Sequence, residues 1–139
     1  MIDPLEIVIK HLSADPALAE LVGTRIAAKH RYGNGWTVGQ AGVMVRLDGG
    51  LPDLYGALQP VRLEIRCYAP SQVEAMALWR RLVEISRESE RRPVLTSGGG
   101  GLLYRFNQAS GPSLLFDSDA KLDFVLCFFE ALVNEGEIP

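Results

Sequence analysis

Residues 61–69 alternate without a break. Val61, Leu63, Ile65, Cys67 and Ala69 fall on one side and Arg62, Glu64, Arg66 and Tyr68 on the other, the period of two that belongs to a strand with one wetted face. Pro70 then removes the donor a ladder would need. Ser71 stands three residues before Glu74, the spacing of a capping box in which the hydroxyl takes the Glu74 amide and the carboxylate reaches back. From there the period changes to that of a helix. Ala75, Leu78, Trp79 and Leu82 form its buried stripe, and Arg80, Arg81, Glu84, Arg87 and Glu88 its wet side. A half-wetted strand running into an amphipathic helix constrains the chain to a sheet with helices packed on it. We therefore expect the α+β class: a mainly antiparallel sheet flanked by two principal helices, one near the N-terminus and one over about residues 71–88.

The flanking segments fit that frame. Asp3 and Asp15 each precede a proline, which places a capping acceptor before a first helical residue that needs no N–H. Leu5, Val8, Ile9 and Leu12 mark one apolar stripe, and Leu18, Leu21 and Val22 a second that Gly23 ends. These are two short helices or one interrupted helix. A short strand is expected at 24–27 and another at 43–47, with Val43, Val45 and Leu47 facing one way and Met44 and Arg46 the other. Arg91, Arg92 and Pro93 read as a break, with a brief strand at 94–96. Strands are expected at 102–108, 113–117 and 122–133. In the last of these Leu122, Phe124, Leu126 and Phe128 share one face while Val125, Cys127 and Phe129 load the other, as in a central strand or one covered by a neighbouring subunit. No internal repeat or domain boundary interrupts the pattern, so residues 1–139 are expected to form a single domain.

Charge and composition narrow the function. The chain has 139 residues, 47% hydrophobic, with 14 basic and 17 acidic residues giving a net charge of −3. No broad cationic surface follows, which argues against sequestering nucleic acid as the main task. The N-terminus lacks a basic-then-apolar signal layout, and no apolar run approaches the ~20 residues of a membrane span; intracellular synthesis and no membrane contact are expected. Cys67 and Cys127 lie in apolar strands, as buried reduced thiols do.

The search for chemistry finds no constellation. His11 reads as a partly exposed surface residue beside Lys10, and His30 lies between Lys29 and Arg31, whose charge suits neither a strong base nor an orienting role. Two separated Cys and two separated His lack zinc-ligand spacing, and Asp48, Asp53, Asp117 and Asp119 sit where turn chemistry accounts for them. The run Gly98 to Gly101 lacks the Lys-Ser/Thr of a phosphate loop. No cofactor, metal or catalytic residue is expected. The long connection at 28–42 carries four glycines with Tyr32 and Trp36. Loops of that length are commonly functional or disordered, and aromatics on such a tether suit contact with a partner. Lys29 and Arg31 beside them, and Arg91 with Arg92, form local basic clusters that fit solvated loops better than phosphate contacts.

The order of these signals, and above all the stretches DPALAELVGTRI and VRLEIRCYAPSQVEAMAL, resembles the tail-terminator, or tail-completion, proteins of long-tailed bacteriophages and related gene-transfer particles. The likeness runs over roughly residues 3–133. It implies a small α+β subunit of a homo-hexameric ring at the head-proximal end of a tail tube, made in the host cytoplasm and ending in the virion. There it would stop tube polymerisation and meet the tail tube protein on one side and the head connector or head-closure protein on the other. DNA would pass through a neutral or acidic lumen without specific binding, with at most weak, salt-sensitive contacts from Lys29, Arg31, Arg91 or Arg92. No catalytic centre is implied. A head-closure or neck ring is the neighbouring alternative. A small cytoplasmic α+β enzyme using scattered carboxylates, or a host-encoded ligand-binding module, is the alternative from another class.

Overall fold

A computed structural model describes residues 4–27, 40–49, 58–94, 101–118 and 121–134. The fold is α+β. Helices α1 (Pro4–Ser13) and α2 (Pro16–Val22) lead into the strands β1 (Ile26–Ala27), β2 (Gly42–Leu47) and β3 (Leu58–Ala69). Helix α3 (Gln72–Glu88) follows, then β4 (Glu90–Val94), β5 (Gly101–Gln108), β6 (Ser113–Asp117) and β7 (Leu122–Asn134). The strands make one sheet in the order β1-β2-β3-β7-β5-β4, with β6 also on β7. All pairings are antiparallel except β1 with β2.

β7 is the central strand, as its two apolar faces require. It pairs with β3 along the whole of that strand, from Leu58 opposite Asn134 to Ala69 opposite Asp123. Its other side is shared: β5 covers the C-terminal half, from Gln108 opposite Phe129, and β6 the N-terminal half, from Ser113 opposite Leu126. β5 and β6 thus lie in tandem along one neighbour, broken by the bend at 109–112.

All three helices contribute to a single core on one face of this sheet. Ile7, Val8 and Leu12 of α1, Leu18 and Val22 of α2, and Ala75, Leu78, Leu82 and Ile85 of α3 meet Val43, Val45, Leu63, Ile65, Cys67, Val125, Cys127 and Phe129. The Phe106 and Phe129 rings stack 4.8 Å apart within it. The start of α3 is set as the sequence predicts, with the Glu74 amide donating to Ser71 Oγ at 3.3 Å. Asp15 likewise caps α2, accepting from the Leu18 amide at 2.9 Å, and Gly23 closes that helix at φ +60, where a side chain would be strained.

Several expectations need correction. Tyr68, expected on the wet side, is fully buried with Ala27, Met44, Leu122 and Phe124 in a second cluster on the opposite sheet face. Its ring lies 5.0 Å from that of Phe124. Leu21, expected in the buried stripe, is exposed because that stripe of α2 runs through Leu18 and Val22, and Leu47, on the face of Val43 and Val45, is exposed because β2 ends there while β3 continues. The expected break at Arg91-Arg92-Pro93 is part of β4, and residues 95–96 of the strand expected at 94–96 lie outside the described residues. Proline is tolerated there because β4 is the outermost strand of its edge and its missing N–H breaks no interior ladder. At the N-terminus the first of the two readings holds: α1 and α2 are separate short helices. Gly101 opens β5 and is buried, whereas 98–100 lie outside the described residues.

Phe129 sits on the central strand at the middle of the helix-covered core. Phe129→Ala should destabilise the fold by about 3–5 kcal/mol, the range for emptying a packed aromatic site, read as a shifted midpoint in urea unfolding with an unchanged slope.

Candidate functional site

The four residues assigned to partner contact from sequence, Lys29, Arg31, Tyr32 and Trp36, lie outside the described residues, as do Asp53 and Asp119. What the structure brings together is a different set, at two places.

The first is a shallow cleft of about 300 Å³ where α1 and α2 meet the end of α3, lined by His11, Asp15, Ile85, Glu88, Ser89 and Arg92 among others. It joins a serine, a histidine and an aspartate, the residue types of a nucleophilic triad, so the direction of each hydrogen bond decides what it is. His11 Nε2 lies 2.7 Å from Ser89 Oγ, and Ser89 Oγ lies 2.5 Å from the Ile85 carbonyl. A carbonyl can only accept, so the one hydroxyl proton goes to Ile85 and His11 must donate through Nε2–H. A triad needs the reverse, a histidine that accepts the serine proton. Ser89 is also almost fully buried. Asp15 is turned away from the imidazole: its Oδ1 and Oδ2 accept from Arg81 Nη2 and Nε at 2.6 and 2.8 Å, a bidentate pair.

The cleft is therefore a latch. Ser89 and Arg92 satisfy the open carbonyls that end α3, the latter donating Nε and Nη2 to the Glu88 carbonyl at 3.1 and 2.9 Å. Asp15, capping α2, holds Arg81 of α3. That pair draws the Asp15 carboxyl below its ordinary value. Burial, and then the Arg92 guanidinium, hold the His11 imidazole below its ordinary value against the opposing charge of Asp15. His11 is thus a half-buried tether instead of the surface residue expected, and Arg81 is an anchor instead of a solvated charge. The Cys67 thiol is pushed well up by its hydrogen bond with Cys127 and by burial, the opposite of an activated nucleophile. Among the described residues no three His, Cys, Asp or Glu are grouped to hold a metal, and no helix is long and apolar enough to cross a membrane.

The second place is the sheet surface away from the helices, with the adjoining edge. Glu64 Oε2 stands between Arg46 Nε at 3.4 Å and Arg66 Nε at 3.5 Å, ionic contacts without hydrogen-bond alignment. Arg66 also covers the Phe124 ring at 5.4 Å, and Arg62 covers Phe128 at 4.7 Å while reaching Asp48 at 3.3 Å. Arg46, Arg62 and Arg66 are thereby engaged by carboxylates and aromatic rings, whereas Arg105, opposite Leu132 on the same face, is exposed. At its margin β6 carries Leu114, Leu115 and Phe116, which are 45%, 45% and 60% exposed, and β7 is its only strand neighbour among the described residues. Sequence reasoning placed this strand but missed its meaning. The signal was three apolar residues in succession, which cannot alternate and so leave both strand faces apolar.

No family model matches the chain, and no curated protein matches it. Among solved structures the chain is similar to one described as the virion of a native gene transfer agent particle, with a TM-score of 0.57 and 22% identity over 91% of each chain. At that identity the likeness establishes a common fold.

The latch makes stability depend on pH. A histidine whose folded value is depressed leaves the folded chain binding fewer protons than the unfolded one, so stability is full above the ordinary value of 6.5 and falls as the pH drops through it. Thermal melts between pH 8 and pH 5 should show wild type losing more stability across that interval than His11→Gln, which has no proton to take up; parallel losses would remove His11 from the account.

Proposed function

We propose that this chain is a structural virion subunit of the tail-terminator kind. In this reading residues 1–139 form a single domain that assembles as a homo-hexameric ring at the head-tail junction, on the head-proximal end of the tail tube. The ring ends tube polymerisation and offers its other face to the head connector. The observation that carries the reading is the fold shared with a chain of a gene transfer agent virion over 91% of both chains, joined to the sequence resemblance in DPALAELVGTRI and VRLEIRCYAPSQVEAMAL.

Two features of the site support it. The cleft that gathers Ser89, His11 and Asp15 is wired as a latch, which suits a rigid building block better than an enzyme. Arg46, Arg62 and Arg66 are matched by Glu64, Asp48 and aromatic rings, which limits the charge these three offer for holding phosphates by counterion release. This suits a part past which DNA must slide. Lys29, Arg31, Tyr32 and Trp36 retain their proposed role as contacts to a neighbouring subunit or to the tail.

Disrupting the gene in the particle-producing genome is expected to leave filled heads beside unattached tails of irregular, excessive length in electron micrographs, with normal particles restored by supplying the chain in trans. Tails of normal length beside unattached heads would point to a head-closure or neck ring. Normal, attached tails would overturn the virion-assembly reading altogether.

A further inference from the structure

The two outer edges on the β5/β6 side of the sheet are built differently. Along β4 the exposed residues are Glu90, Arg92 and Pro93, charges and a residue without an N–H that deter the addition of another strand. β6, Ser-Leu-Leu-Phe-Asp, has no proline and no basic residue. A single exposed leucine is ordinary, but here three adjacent large apolar side chains stand on an edge strand that, among the described residues, pairs on one side only, with β7.

We propose that β6 pairs antiparallel with β6 of a second copy of this chain, about a two-fold axis through Leu115. The sequence of the strand selects this occupant. Directly opposed residues of an antiparallel pair share a face, so a two-fold axis normal to the sheet must pass through a residue that then meets its own copy. With the axis on Leu115, Leu115 meets the partner's Leu115, Leu114 meets the partner's Phe116, and Ser113 meets the partner's Asp117. Apolar residues face apolar residues, a hydroxyl faces a carboxylate, and no like charges oppose. An axis on Leu114 would set Ser113 against Leu115 and Pro112 against Phe116. An axis on Phe116 would set Asp117 against Leu115. The axis on Leu115 pairs all five residues of the strand within the strand, apolar with apolar and polar with polar.

The register of β6 on β7 fixes what the joint would bury. Leu114 and Phe116 lie on the face of Val125 and Asp123, and Leu115 on the face of Phe124. Leu114 and Phe116 of the two copies close into a four-residue apolar cluster on one face, with the two Leu115 side chains touching on the other. The sheet becomes continuous from β7 of one copy through both β6 strands to β7 of its partner. Three partly exposed side chains per copy are few against the ~20–30 residues of a standard interface, so the contact is weak and depends on concentration. It is independent of the ring reading: a two-fold contact is complete after two copies, whereas a ring grows by head-to-tail contacts. The pairing doubles whatever unit carries it, a single chain or a ring.

Sedimentation velocity over a wide concentration range tests this with wild type, Leu115→Lys, Leu115→Glu and an equal mixture of the two variants. Wild type is expected to double its mass as concentration rises, each variant alone to fail because like charges meet on the axis, and the mixture to recover the doubling because Lys meets Glu. Phe116→Ser, at the most exposed of the three positions, should reduce the doubling without any charge, and circular dichroism melts establish that each variant folds. Wild type that never doubles, doubling that persists in either charged variant alone, or a mixture that does not recover would each overturn the proposal. An assembly that forms at the proposed ring mass but never doubles would overturn the pairing while leaving the ring intact.

Discussion

The antiparallel ladder between β3 and β7 is the constraint on which the rest of the molecule depends. It is the longest pairing in the sheet, and it sets Leu63 against Phe129, Ile65 against Cys127 and Cys67 against Val125 on one face. At roughly 1.5–3 kcal/mol for each large apolar side chain fully buried, that face accounts for where the helices go, since their apolar stripes pack on it. β7 is apolar on its second face as well. There Tyr68 and Phe124 pack together and guanidinium groups lie over the Phe124 and Phe128 rings, so the open side is closed by aromatic and cationic contacts where the other is closed by helices.

Magnitudes separate the ion pairs that position elements from those that decorate the surface. Arg62 and Asp48 are both more than 40% exposed, and a pair of that kind contributes about 0–1 kcal/mol. Arg81 and Asp15 are mostly shielded and joined by two hydrogen bonds, while Asp15 also caps α2. Loss of an N-cap side chain alone costs about 0.5–2 kcal/mol. That one carboxylate therefore fixes both the start of α2 and its attachment to α3, and with His11 and Ser89 it makes the three helices one layer.

Much of this was legible wherever a local rule decided the outcome. The alternation at 61–69, the Ser71 and Asp15 caps and the doubly apolar β7 each follow from neighbours in sequence, and each stands as read. What could not be read depended on partners far along the chain. Tyr68 obeys the alternation yet is buried, because its own face carries a second cluster with Met44, Leu122 and Phe124. Arg81 looked solvated because its partner lies 66 residues away. His11 looked superficial because Ser89, which fixes it, is 78 residues distant. Pro93 suggested a break because its harmlessness follows only from β4 being an edge. The exposed trio on β6 had a sequence signal, the failure of alternation, but its significance needed the topology, in which β7 is the strand's only neighbour among the described residues.

The cleft wired as a latch and the fold shared with a chain of a virion are what support the proposal of a structural subunit that holds shape and meets neighbours. The most direct test of that account is a cryo-electron microscopy reconstruction of the assembled particle at a resolution that traces side chains. The account predicts density for this chain in six copies, as one ring between the last ring of the tail tube and the head connector. Density for it elsewhere in the particle, or a mature particle that lacks it, would contradict the account.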